Sequence, residues 1–428
     1  MKSQLFTRVP KCFRNGWLML LLFASFLLMM FLSLSPVSRS PAPAIMAASH
    51  FISDTRNNSN NIINNNNNTI RPVSRKRSCS NPVTKVGFMK THKTASSTIQ
   101  NIFMRFGMNK EWNFVLPSHG SHLGPPSNQY QLTIPWRRSW ISDVPWRSMI
   151  EDQGYNIFAL HTKWNQAEVS GVLGSEAKFV TILRNPVDNF ESLYNYVHFE
   201  DHFNHMSVEQ FVHEYIEKRK PIQRINHYLG RNQQLWDLGL ANKDITNLEA
   251  VQKKIEEIDN DFDLVMIAED FDASLVLLSD ELCWPLVNMT SLKVNARKKS
   301  AVEKLSEKAR VILKDWLWAD QMLYDHFKEK LRQRKEQYGL NNLEREIEKL
   351  KQYNDQVKAQ CVLETVRNNT KKLSEEYVPW SKDVVAFKID EETNPYCKFY
   401  GISELHFIDY VRDMQVSRYS LWKDDKKG

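Results

Sequence analysis

The sequence predicts an α/β fold, a parallel β-sheet flanked by helices, and three observations lead there. Four short apolar runs rich in Val, Ile and Phe recur at 85–89, 155–160, 178–183 and 263–268, each bounded by polar residues. Helical patterns stand between and after them, at 96–106, 187–197, 208–218, 222–238 and 273–282. From 301 to about 361 the chain is charged and helical, with Leu340, Leu343, Ile347, Leu350, Tyr353 and Val357 spaced by three and four. Strands that alternate with helices are buried on both faces and pair in parallel. The last stretch reads as a packed helix pair, so the C-terminal region 301–428 is expected to be a helical part of the same domain.

The size permits this. The chain has 428 residues with 42% hydrophobic and 11% aromatic residues, enough for one large core. Its 13 Gly and 16 Pro, with the aromatic content, exclude collagen, a coiled-coil rod and a wholly disordered chain. A net charge of +7, spread along the sequence, is too mild for a nucleic-acid arm, so no nucleic-acid partner is expected.

The N-terminal region predicts a membrane anchor. Residues 17–34 contain no charge and only Ser25 and Ser33 as polar side chains. As a helix they would extend roughly 27 Å, close to a bilayer core. Lys2, Arg8, Lys11 and Arg14 precede them without an acidic residue, which keeps residues 1–16 cytosolic and places the remainder across the membrane. A cleaved signal peptide is the alternative, although the apolar run is long for one. Residues 35–83 include nine Asn between Asn57 and Asn68 and the basic cluster Arg75, Lys76 and Arg77, and read as a disordered stalk before a lumenal domain at 84–428. On the oxidising side, Cys79, Cys283, Cys361 and Cys397 permit two disulfides in three connectivities. Sequons at Asn57, Asn67, Asn288 and Asn368 agree with a secretory route.

Two segments carry chemistry. The first apolar run enters the loop Lys90-Thr-His-Lys-Thr-Ala-Ser-Ser-Thr98, which opens a helix. Amides at a helix N-terminus, together with hydroxyls and a lysine, form an anion site. The Walker pattern is absent, which argues against ATP hydrolysis. The third run ends at Arg184, Asn185 and Pro186, with Ser192 eight residues beyond the arginine. An arginine fork and a serine two turns along a helix suit a second phosphate.

These segments resemble the two signatures of sulfotransferases that use 3′-phosphoadenosine 5′-phosphosulfate. The string KTHKTASST, with LCW at 282–284 and NAR at 295–297, is similar to the galactose 3-O-sulfotransferase family in particular. The resemblance implies the P-loop-NTPase-like sulfotransferase fold and a type II Golgi membrane protein. It also implies transfer of a sulfuryl group to the 3-hydroxyl of a terminal β-galactose on a glycolipid or glycan, with no metal required. Carried over, it gives Lys93 the bridging oxygen of the donor, Thr94, Ala95, Ser96, Ser97 and Thr98 the 5′-phosphate, and Arg184 and Ser192 the 3′-phosphate. Lys90 and His92 of the same loop carry no assigned role.

A general base must also take the sugar hydroxyl proton, and a neutral imidazole suits that task. His161 ends the second apolar run, where strand ends face the ligand crevice, and related carbohydrate sulfotransferases place a histidine at a comparable strand end. His161 is therefore the expected base, with His119, His122, His198, His202, His205 and the carboxylate of Glu168 as lesser candidates. Trp112, Trp136, Trp140 and Trp146 could form a sugar platform, and Arg137 and Arg138 keep an acidic acceptor open. The alternatives are a glycosaminoglycan uronyl 2-O-sulfotransferase and a catalytically inactive lectin or scaffold. A second copy of the chain is a candidate partner.

Overall fold

The computed structural model describes Cys79 and residues 81–125, 128, 132–141, 145–292, 302–366, 373–379 and 384–426. The expected anchor at 17–34 and nearly all of the expected stalk lie outside the described residues, among which no helix is long and apolar enough to cross a membrane.

Four parallel strands form the central sheet, each from one of the apolar runs. They are β1 (Val86–Met89), β2 (Ile157–Phe158), β3 (Lys178–Leu183) and β4 (Leu264–Ile267), in the spatial order β2-β1-β3-β4. Val86 pairs with Ile157 on one side and Lys178 on the other, and Val180 pairs with Leu264. All residues of β1 and β4 are buried, as expected of strands covered on both faces. Gly87 allows close packing within the fold: a Cβ there would lie 2.6 Å from the Phe179 ring. The order reverses at β1, since the chain moves to β2 on one side and then crosses to β3 on the other. Ligands in open α/β sheets bind at this switch point, outside the carboxyl ends of the strands.

Helices follow the strands. Among them are α1 (Ser96–Asn109), α2 (Arg147–Gln153), α3 (Gln166–Leu173), α4 (Pro186–Tyr196) and α5 (Val208–Phe211), which continues as a π-turn to Ile216. Then come α6 (Gln233–Asp237), α7 (Leu248–Asp261) and α8 (Phe271–Leu282). Residues 222–238 do not form the single helix that their periodicity predicts. Pro221 precedes the segment, and Asn226, His227 and Asn232 adopt φ of 50°, 66° and 51°, so the chain loops until α6. Arg224 holds this loop through the carbonyls of Tyr228 and Arg231.

The C-terminal region is helical, but 301–361 holds three helices rather than a pair: α9 (Glu307–Trp316), α10 (Trp318–Tyr338) and α11 (Leu340–Cys361). Helix α9 joins a separate apolar cluster with Phe190, Tyr194 and Phe211. Leu343, Leu350 and Val357 of α11 enter the main core. A two-stranded antiparallel sheet, β5 (Val362–Val366) and β6 (Ala386–Ile389), leads to α12 (Lys398–Gly401) and α13 (Glu404–Asp425).

Two disulfides select one of the three connectivities. Cys79 pairs with Cys283 and Cys361 with Cys397, at Cα separations of 5.4 and 5.1 Å. The first ties the start of the described domain to the end of α8, and the second ties α11 to the segment before α12.

Candidate active site

The loop after β1 and the loop after β3 meet at the switch point. In the first, Lys93 and Ala95 adopt φ of 60° and 67°, which is costly for residues bearing a Cβ and concentrates at functional loops. The loop is internally braced: the Thr91 and Thr94 hydroxyls are 2.7 Å apart, and Ser96 Oγ donates to the Thr91 carbonyl at 2.6 Å. Thr94, Ser96 and Thr98 are buried, whereas Ser97 is half-buried and Ala95 exposed. Lys93 reaches outward, its Nζ 3.5 Å from the centre of the Tyr196 ring.

In the second loop, Asn185 and Pro186 start α4. Asn185 Oδ1 accepts from the amides of Val187 and Asp188, and Pro186 takes the first helical position. The Arg184 guanidinium donates to the Lys93 carbonyl at 3.2 Å, so the two sequence motifs form one site. Ser192 lies on α4 and is 2% exposed.

The short helix α6 organises both loops, which sequence reasoning missed. Gln234 brackets the main chain of Arg184, accepting from its amide at 2.8 Å and donating to its carbonyl at 2.9 Å. Asp237 accepts from the His92 amide at 2.7 Å, and both its oxygens lie 2.9 Å from His92 Nδ1. Asn189 of α4 adds a bond to the His92 carbonyl. Asp320 of α10 in turn accepts the amides of Gln234 and Leu235. Burial pushes the Asp320 carboxyl up to about 7, against the pull of those two amides. The signal for α6 was its wealth of Gln and Asp inside an apolar pattern, but their partners are distant in sequence.

Three imidazoles stack at the end of β2. His161 lies 4.3 Å from His92 and 5.4 Å from His122, ring centre to ring centre. His161 Nδ1 is 3.0 Å from the Lys90 carbonyl, which can only accept, so Nδ1 carries the hydrogen and Nε2 the lone pair. His92 is set the same way by Asp237. The surroundings of the two rings differ. Burial holds the His161 pKa well below the ordinary imidazole value, and Lys90, His92 and His122 add to this by opposing another positive charge. Burial, followed by His92 and Lys90, pushes His122 down to about 4. His92 instead has the Asp237 carboxylate at its Nδ1. The two rings thus stand together at the candidate site, His161 on the Lys90 carbonyl and His92 on Asp237.

The other expectations separate. Glu168 accepts from the Arg138 amide and forms an ion pair with that arginine, away from the histidines. His198 and His205 pair with Glu200 and Asp201 at the surface. Trp136 and Trp146 are core residues, 0% and 1% exposed, and Trp112 and Trp140 pack against the same core, so the four do not make an open platform. They are large apolar side chains in a segment without periodicity, and sequence alone does not distinguish a packed indole from a presented one.

Arg184→Ala is expected to weaken binding of adenosine 3′,5′-bisphosphate by tenfold or more without abolishing folding, because its guanidinium joins two loops rather than filling the core. Calorimetry checks this, and unchanged affinity would remove Arg184 from the site.

Comparison with known proteins places this geometry in context. A family model described as Galactose-3-O-sulfotransferase matches residues 4–411. Galactosylceramide sulfotransferase of Bos taurus is 32% identical over 286 residues, covering 66% of this chain and 64% of that protein. Galactose-3-O-sulfotransferase 2 of Mus musculus is 26% identical over 349 residues, covering 78% of this chain and 86% of the relative. Galactose-3-O-sulfotransferase 3 of Mus musculus is 28% identical over 353 residues, covering 78% of each. The chain thus spans less than two thirds of the galactosylceramide sulfotransferase it matches.

Proposed function

The chain belongs to the galactose 3-O-sulfotransferase family, and we propose that it transfers a sulfuryl group from 3′-phosphoadenosine 5′-phosphosulfate to the 3-hydroxyl of a terminal β-galactose on a glycolipid or glycan. The observation that carries this reading is the hydrogen bond from the Arg184 guanidinium to the Lys93 carbonyl. The Lys93 loop and the Arg184 loop thus lie side by side near the switch point of the sheet, which supports a ligand with two separated phosphates. The P-loop-NTPase-like sulfotransferase fold follows from the same reading.

In the reaction, the oxygen–sulfur bond to galactose forms as the sulfur–oxygen bond to the 5′-phosphate breaks. His92 Nε2 takes the hydroxyl proton, and Asp237 balances the imidazolium. Lys93 and the amides of 94–97 face the charge that develops on the leaving phosphate, the Thr98 amide being engaged by the Ala95 carbonyl. Thr94 and Ser96 serve through their amides, since their hydroxyls are engaged within the loop. Arg184 takes the 3′-phosphate, with Ser192 beside it on α4. The reading calls for no metal.

The compartment belongs to the same proposal: a cytosolic tail at 1–16, a Golgi signal anchor at 17–34, a stalk at 35–83 and a lumenal catalytic domain. Support comes from the basic flank of the apolar run and from the two disulfides, which persist in an oxidising lumen.

Turnover of radiolabelled donor against a panel of galactosides tests the reading. Label transferred to a 3-hydroxyl galactoside, and lost when that hydroxyl is removed, is the expected result. Transfer only to uronic-acid polymers would move the acceptor class, and donor binding without transfer to any sugar would point to an inactive scaffold.

A further inference from the structure

Glu404, the first residue of α13, reaches the donor loop from a point 307 residues beyond Ser97. Its Oε2 accepts the Ser97 hydroxyl at 2.8 Å, and its Oε1 accepts from Lys90 Nζ at 2.6 Å. Lys90 is almost wholly enclosed, with 1% of its side chain exposed, while the Glu404 side chain keeps 23%. A carboxylate is therefore seated on a hydroxyl and on the Lys90 amino group of the loop that reads phosphate, where burial lowers the Lys90 pKa against the pull of Glu404.

This arrangement has a chemical consequence. A serine hydroxyl has one proton to donate. Ser97 cannot give it to Glu404 and to a phosphate oxygen at once, and two anions on one hydroxyl repel each other. Burial alone would raise the Glu404 carboxyl, but Lys90 and Ser97 together bring it below the usual carboxylate range, so it is an anion in this position.

We propose that Glu404 is a built-in competitor of the donor, holding the Ser97 hydroxyl when the phosphate is absent and releasing it when the phosphate arrives. The inference rests on the donor reading of residues 93–98. Donor entry breaks the Ser97–Glu404 hydrogen bond and leaves the carboxylate on Lys90; its return to Ser97 assists departure of the nucleotide product. The C-terminal helix thereby sets donor affinity, although it lies outside both nucleotide motifs.

Calorimetric titration of the full chain with adenosine 3′,5′-bisphosphate tests this. Glu404→Ala is expected to bind about tenfold more tightly than the unaltered chain, the scale of one charge-assisted hydrogen bond no longer contested. Glu404→Gln, which keeps the shape and removes the charge, should show a smaller gain in the same direction. The gain should vanish when Ser97→Ala is present in both proteins being compared. A damaged fold does not tighten binding, so the direction of change separates competition from a structural role. Unchanged or weaker binding in both Glu404 variants overturns the competitor, and an equal gain in the Ser97→Ala background overturns the shared hydroxyl. If the unaltered chain does not bind the bisphosphate, the donor reading fails instead.

Discussion

Lys93→Ala is expected to lower turnover at least a hundredfold while the protein remains folded. The lysine stands on a loop with its ammonium against the face of Tyr196 rather than in the core, so truncation removes charge without opening a cavity. In the proposed reaction its contribution belongs to the transition state, when negative charge develops on the leaving phosphate. Removing one preorganised electrostatic donor commonly costs a factor of about a hundred to a thousand. Single-turnover measurements at saturating donor, with circular dichroism as the check on folding, decide the matter. Near-normal turnover in a folded Lys93→Ala protein would remove this loop from the chemistry.

His92→Ala should slow the chemical step by about a hundred- to ten-thousandfold, the usual contribution of a positioned base. Asp237→Asn should follow in the same direction, because its carboxylate selects the tautomer and balances the charge. The pH dependence separates His92 from His161. A base must be neutral to act, so the rate falls as acid protonates it, and that acid limb should disappear in the variant that lacks the base. His161 is held neutral by its surroundings well below the ordinary imidazole range, so His161→Ala should retain the limb even where packing loss reduces the rate. A lost limb in His161→Ala with an intact one in His92→Ala would restore the base to His161.

Much of the fold was legible before any coordinates. The four apolar runs became four strands because short Val-, Ile- and Phe-rich segments bury both faces only within a parallel sheet. Arg184, Asn185 and Pro186 were legible too, since Asn and Pro at a helix start act through local geometry. The error at 222–238 has a local cause as well: periodicity is blind to the left-handed residues Asn226, His227 and Asn232 that break the helix.

By itself, the sequence determined the sheet, the loops that follow β1 and β3, the cysteine inventory and the apolar N-terminal run with its basic flank, because each depends on neighbouring residues. Tertiary structure alone decided which cysteines pair, that Gln234 brackets Arg184, that Asp237 rather than any nearby residue aligns a histidine, and that Glu404 occupies Ser97. Each of those contacts joins residues far apart in the chain, and helical or strand periodicity carries no information about which distant side chain will supply a buried partner. The histidines illustrate the difference: sequence placed His161 at the end of a strand, but only the tertiary structure stacks its ring on His92 and brings a carboxylate of α6 to the latter.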